Sequence, residues 1–251
     1  MTLTVIEALQ RLYDSIARRN RELAYLNFGY ADPTEPATQG DDADLERLCR
    51  RLYEVVLAAL PASGRVLEIG CGRGGGAAYL IGTRPTWSYL GLDLSLEHAR
   101  ACGRRFLSGS AHFAVADAAR LPVPSARFDA ALSIEACHHF EDSDAFYGEV
   151  ARALRPGGCF LLAGIWTSGD VPGERIERHG FRILERSDIT ANVVASLART
   201  SALRGRLVDS LGLPDRFRPF LMSWAGVRGS GSYEELAAGE RLYLRYRLLR
   251  A

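Results

Sequence analysis

Residues 68 to 76 read Glu-Ile-Gly-Cys-Gly-Arg-Gly-Gly-Gly. A run so rich in glycine lets the chain turn tightly and brings a ligand against backbone that a Cβ would shield. Asp93 follows about 20 residues on, where a carboxylate can accept both hydroxyls of a ribose. Asp117 closes the apolar segment AVADA, where a side-chain acceptor can take a hydrogen bond from an adenine amine. Glu68 stands two residues before the first glycine; a carboxylate there repels a pyrophosphate but suits a cationic or amine-bearing ligand. Farther on, Ser133-Ile-Glu-Ala-Cys-His-His-Phe140 gathers a carboxylate and two imidazoles in one short stretch.

The elements that must position these groups alternate in type. RVLEIG, SYLGLDLS, AHFAVADA, FDAALSIEA, GCFLLAGIW and GFRILERSDI read as short apolar strands separated by helical or turn segments. Ser95 is placed to cap the helix after the second strand, and Pro156-Gly157-Gly158 is a sharp break between a helix ending near Leu154 and the strand at Phe160. RLYLRYRLLR alternates, with Leu242, Leu244, Tyr246 and Leu248 on one face and Arg241, Arg245 and Arg247 opposite, which suits an exposed or antiparallel strand. Two helical stripes precede the first strand, Val5 to Ile16 and Leu45 to Val56, with the Pro- and Asp-rich loop LNFGYADPTEPATQGDD between them. Alternating strands and helices predict an α/β domain whose parallel sheet is covered on both faces.

Taken alone the glycine turn is ambiguous. Gly70, Gly72 and Gly75 satisfy a dinucleotide fingerprint as well as Gly70, Gly72 and Gly74 satisfy E-x-G-x-G-x-G. Glu68, Asp117 and the alternating last strand break the tie. VLEIGCGRGGG, GLDLS, ADAARLPVPSARFDAALS and ALRPGGCFLLA, in this order and roughly this spacing, resemble the motifs of class I S-adenosylmethionine-dependent methyltransferases, from about residue 44 to the C-terminus.

The resemblance implies a Rossmann-like seven-stranded sheet with the last strand antiparallel and helices on both faces. It implies S-adenosyl-L-methionine as cofactor and S-adenosyl-L-homocysteine as by-product; the His and Cys residues nowhere take metal-ligand spacing, so no metal is expected. It places Gly70, Gly72 and Gly74 against the methionine and ribose, Asp93 at the ribose hydroxyls, Asp117 and Ala118 at the adenine, Leu94 among the cofactor-binding residues, and Glu68 near the methionine ammonium, directly or through water. Residues 1–43 resemble the helical lid of the small-molecule, natural-product branch, in which Tyr13, Phe28 and Tyr30 would line the cofactor or acceptor cavity.

Ligands of open parallel sheets sit beyond the carboxyl ends of the strands, which is where residues 133–140 fall. Methyl transfer from a sulfonium is an in-line displacement, so positioning and removal of water supply most of the acceleration. A hydroxyl acceptor must also lose its proton. Histidine titrates near the working pH, and His138 or His139 is the expected base, with His138 also touching substrate. Glu135 is expected beside the cofactor, or as the stabiliser of a carbocation were the acceptor an alkene. Residues 190–225 form an inserted cover, where Phe217, Phe220, Leu221, Met222 and Trp224 would wall a bulky apolar acceptor. Arg199, Arg204, Arg206, Arg216 and Arg218 read as a solvated face, while His98, His112 and His179 look structural. The leading expectation is O-methylation of a small apolar metabolite. The alternatives are methylation of an alkene or ring carbon, or cyclisation without methyl transfer.

Composition narrows the field further. The chain has 251 residues, 47% apolar and 24% charged, and 31 Lys+Arg against 30 Asp+Glu leave a net charge of +1. Nothing there favours disorder or a nucleic-acid partner. Every cation is arginine, which excludes Schiff-base lysines, the lysine of a phosphate-binding loop and the Tyr-x-x-x-Lys pair of dehydrogenases. Five widely spaced cysteines form neither a disulfide framework nor a zinc site. With no signal-like or membrane-spanning run, the expected protein is cytoplasmic and off the membrane; a small-molecule substrate is its expected partner, with a second copy of the chain as a further option.

Overall fold

The computed structural model describes residues 24–35, 42–106 and 109–251. A first helix, α1 (Asp42–Leu57), leads into β1 (Gly64–Ile69), α2 (Gly75–Thr83), β2 (Trp87–Asp93), α3 (Leu96–Arg105) and β3 (Ala111–Val115). Next come β4 (Phe128–Ile134), α4 (Ser143–Ala153), β5 (Leu154–Thr167), α5 (Gly173–Arg178) and β6 (Phe181–Asp188). Three helices, α6 (Thr190–Ser210), α7 (Arg218–Trp224) and α8 (Gly231–Ala237), separate β6 from β7 (Arg241–Arg250). No helix of the described residues is long and apolar enough to cross a membrane.

The strands form one sheet in the order β3-β2-β1-β4-β5-β7-β6. β1 to β5 run parallel, and β7 is antiparallel to both β5 and β6. This is the seven-stranded arrangement anticipated above, with β7 antiparallel. β7 lies inside the sheet between β5 and β6; Tyr243 is as buried as Leu244, while Arg245, Arg247 and Leu249 on the other positions stay partly exposed. The arginine face of β7 is tied down: Arg245 donates to Val55 O at 2.7 Å and is ion-paired with Glu185.

Successive strand residues feed opposite cores, as the two-residue period requires. Val66, Leu132, Leu161 and Tyr243 pack with α1, α6 and α8, while Leu67, Ala131, Leu162 and Leu244 pack with α4 and α5. Local signals fix the helix starts. Ser95 Oγ accepts from His98 N at 3.2 Å at the head of α3, and Asp142 Oδ1 accepts from Ala145 N at 2.8 Å at the head of α4. Pro156-Gly157-Gly158 does not separate helix from strand. β5 begins directly after α4 with Leu154 opposite Phe128, and the tripeptide instead shifts the register before Cys159 pairs with Ala130.

Candidate functional site

The strand order reverses between β1 and β4, and a cavity of about 570 Å³ opens beyond their carboxyl ends. Gly70 leaves β1 with φ +77°, its N–H donating to Leu92 O at 2.8 Å. A Cβ on Gly70 would collide with the Ala136 methyl at the end of β4, so only glycine allows the two strand ends to approach. Gly72, at φ +52°, faces open space: a Cβ there would meet nothing nearer than Leu26 Cδ1, at 3.7 Å. It therefore presents bare backbone to the cavity.

Asp93 is the hinge of this end of the cavity. Its Oδ2 accepts from Gly72 N at 2.8 Å; its Oδ1 accepts from Ser95 N at 2.9 Å and lies 3.1 Å from His98 Nδ1. Three of roughly four carboxylate lone-pair sites are used. The carboxylate is thus oriented by the protein and retains acceptor capacity toward the cavity it lines. His98, expected to be structural, is a wall residue of the same cavity, brought there because Ser95 caps α3 and turns its first helical residues back toward Asp93. Asp117 Oδ1 accepts from Ala119 N at 2.9 Å, and Leu94, Ala118 and Ala119 complete this wall.

Glu68 is fully buried behind the glycine turn, where it meets Tyr89 Oη and accepts from Tyr53 Oη at 3.0 Å, and its side chain does not itself line the cavity. Burial pushes its carboxyl up to about 7 despite the two tyrosine hydrogen bonds. Gly74 is likewise off the cavity wall; at φ +76° it caps α2 and packs toward Cys102 and Phe106. Tyr13 lies outside the described residues.

The second end of the cavity is built by the turn after β4. Glu135 adopts φ +53°, unusual for a residue with a Cβ. Its Oε1 accepts from Phe28 N at 2.7 Å and from Tyr243 Oη at 2.8 Å, and burial raises its carboxyl to about 7. His138 and His139 follow on a short 3₁₀ turn, Cys137–His139, with ring centroids 4.1 Å apart. Burial, then the charges of His139 and Arg241, hold His138 well below its usual range, and burial with Arg241 holds His139 down to about 4. Both rings are neutral at neutral pH.

Residues 24–31 form an extended strap across the cavity. Phe28 lines the cavity, whereas Tyr30 does not. The strap is tied to α6 by Ser196 Oγ donating to Phe28 O at 2.8 Å, and by Arg204, which donates to Asn27 O and Phe28 O at 3.1 and 3.0 Å. Arg204 is 6% exposed and Arg199 donates to Asp32 O at 2.6 Å, so these two leave the solvated face assigned to them. Of the inserted aromatics only Trp224 reaches the cavity; Phe217 and Phe220 are 43% and 53% exposed and line no part of it. Phe217 ends a 3₁₀ turn (Asp215–Phe217) just before α7, and Phe220 lies on α7, whose buried residue is Leu221. Tyr25, Leu26, Asn27 and Trp224 also line a second hollow of about 50 Å³, walled by Leu45, Leu207, Val208 and Leu211. Arg241, at the start of β7, was missed as a site residue. Because β7 is antiparallel, its first residue falls at the carboxyl edge of the parallel strands and lines the cavity.

Residues 67–162 match a family described as a methyltransferase domain. The chain is 33% identical to a fatty-acid O-methyltransferase of Mycolicibacterium smegmatis, over 98% of this chain and 91% of that protein. It is 31% identical to a phthiotriol/phenolphthiotriol dimycocerosates methyltransferase of Mycobacterium tuberculosis, over 90% and 85% of the two chains. Among solved structures, the [4+2]-cyclase SpnF superposes with a TM-score of 0.75 at 21% identity, covering 96% of this chain and 94% of that one, a likeness of fold.

Proposed function

The chain belongs to the class I S-adenosylmethionine-dependent methyltransferases, and from that premise we propose that it methylates an oxygen atom of a lipid-like small molecule. One observation carries the reading. A single cavity joins a bare-backbone, carboxylate-lined end at Gly72, Asp93 and Asp117 to an apolar end at Phe28, Ile165 and Trp224. The relatives named for fatty-acid and phthiotriol methylation support a lipid-like acceptor.

The residues present fit the cofactor. Gly72 leaves a side-chain-free cradle, Asp93 keeps acceptor capacity for a ribose, and Asp117 keeps one oxygen without a partner among the described residues. On this reading Gly70, Gly72, Asp93, Leu94, Asp117 and Ala118 hold it. When bound, S-adenosylmethionine supplies a methyl group already activated on a sulfonium. The chain's own part is to orient and dry the reacting atoms: Phe28 and Trp224 exclude water, and the strap held by Glu135 and Arg204 closes over them. His138, whose Nδ1 has no hydrogen-bond partner among the described residues, can offer an acceptor oxygen a hydrogen bond as a neutral imidazole, with His139 beside it on the same turn.

The test is to incubate the protein with methyl-labelled S-adenosylmethionine and a panel of long-chain acids, alcohols and phenols, and to locate the label by mass spectrometry. Label on oxygen of an apolar acceptor is expected. Label on carbon, or a cyclised product of unchanged mass, overturns the oxygen reading.

A further inference from the structure

Arg241 enters the cavity at the edge where β5 and β7 pair, with Thr167 opposite it in the sheet. Its one partner among the described residues is Glu235, through a single contact of 3.5 Å between half-exposed side chains. Such a contact is weak. Most of a planar five-donor fork therefore remains for whatever occupies the cavity. The turn bearing His138 and His139 lines the same cavity, and His138 Nδ1 is buried with no hydrogen-bond partner among the described residues. A buried ring nitrogen in that state calls for a partner from the ligand.

The acidic groups nearby do not cancel this cluster. Glu135 is engaged by Phe28 N and Tyr243 Oη, and its carboxyl sits near 7. Asp142 is turned to cap α4, and Glu141 is exposed at the cavity mouth. Asp93 and Asp117 belong to the glycine-turn end described above.

We propose that Arg241 and the His138–His139 turn form an anion subsite for the acceptor's carboxylate, so that the preferred acceptor is a long-chain carboxylic acid and the product its methyl ester. The proposal rests on the oxygen-methylation reading. Its chemistry needs no base. A carboxylate is already deprotonated at neutral pH, whereas an alcohol proton must be removed, and imidazoles whose basicity is suppressed do that poorly. A lone pair of the carboxylate oxygen forms the new C–O bond as the S–CH₃ bond breaks. That bond's electron pair returns to sulfur, the carboxylate and sulfonium charges vanish together, and no proton is released. Phe28, Ile165 and Trp224 would receive the first part of the chain, and the hollow beside Leu207 and Leu211 lies where a longer chain would continue.

The experiment compares decanoate with decanol by calorimetry, in the presence of S-adenosylhomocysteine, for the wild type and for Arg241→Gln and Arg241→Lys. The acid should bind about 10- to 100-fold tighter than the alcohol in the wild type, the reach of a charge-assisted pair. Arg241→Gln should erase the preference while S-adenosylhomocysteine still binds; Arg241→Lys should retain part of it. Equal affinity for acid and alcohol in the wild type overturns the proposal without any variant. So does an acid preference that survives Arg241→Gln. Acid binding that depends on Arg241 while label never reaches any oxygen would sink the methylation reading and leave the subsite. Label reaching alcohols with no preference for acids would do the reverse.

Discussion

The Glu135 carboxylate accepts the backbone N–H of Phe28 at 2.7 Å, across 107 residues of sequence. The same oxygen takes the Tyr243 hydroxyl at 2.8 Å. One side chain therefore joins the end of β4, the strap over the cavity and β7. It does so from a left-handed backbone conformation, φ +53°, that other residues avoid. In that conformation its Oε1 reaches both the strap and β7.

Replacing Glu135 by Ala leaves the Phe28 N–H and the Tyr243 hydroxyl without an acceptor and keeps the strained backbone. Stability should fall by about 1–3 kcal/mol, read as a lower urea midpoint. Glu135→Gly should recover part of that loss by relieving the left-handed strain. If Ala and Gly variants melt alike, the backbone at 135 stores no strain.

Glu68 supplies a pH signature. Its folded carboxyl sits at about 7 against an ordinary 4.5, so between those values the folded state holds more protons than the unfolded one. Unfolding free energy then declines as pH rises through this window, by an amount on the order of 3 kcal/mol at most. Glu135, raised to about 7 as well, adds in the same direction. Denaturant titrations from about pH 4.5 to 7.5 should show the decline in the wild type and a shallower one in Glu68→Gln. An identical slope in the two proteins would remove Glu68 from the account.

Much of this was legible in the sequence because it is local. The seven strands, the cap at Ser95, and the ladder of Gly70, Asp93 and Asp117 follow from runs of a few residues whose period or spacing states their role. What the sequence does not show comes from contacts made over long stretches of chain. Glu68 has a site-like position in the motif, yet the tyrosines that capture it come from α1 and β2. Arg204 sits on a helix rich in arginine, and only the carbonyls of Asn27 and Phe28, 176 residues or more away, show why it turns inward. Phe217 and Phe220 look like a hydrophobic wall in sequence, yet on the 3₁₀ turn and on α7 both side chains stay exposed while Leu221 takes the buried position. Arg241 could have been found: an arginine opening an antiparallel final strand must fall at the ligand edge.

Asp93→Ala removes the acceptor for Gly72 N and Ser95 N and the partner of His98 Nδ1 together. Affinity for S-adenosylhomocysteine should weaken by about 1–3 kcal/mol, as charge-assisted hydrogen bonds are lost. Calorimetry measures it directly. Unchanged affinity would take Asp93 out of the cofactor site.

Arg204 donates to the carbonyls of Asn27, Phe28 and Ala225 and to Thr200 Oγ1 while almost wholly buried. Lysine keeps the charge but cannot span this set with one ammonium. Arg204→Lys should therefore cost about 3 kcal/mol or more in stability, as a buried charge left partly unsatisfied. A urea transition coincident with the wild type would show that the strap is held by something else.

The histidines offer the sharpest kinetic contrast. With His139 held down to about 4 and His138 well below its usual range, neither ring changes charge at physiological pH. The wild-type kcat/KM should thus be free of a histidine limb from about pH 6 to 9. Replacing either ring by Gln should lower kcat/KM by about tenfold, the loss of one oriented hydrogen bond, with the pH profile keeping its shape. A general base behaves otherwise: its removal costs about 10²- to 10⁴-fold and abolishes an ionisation near neutrality. A wild-type profile that rises with a midpoint near pH 6.5 and flattens in His138→Gln or His139→Gln would mean that substrate binding restores the imidazole's basicity. The acceptor would then be a hydroxyl whose proton the ring removes.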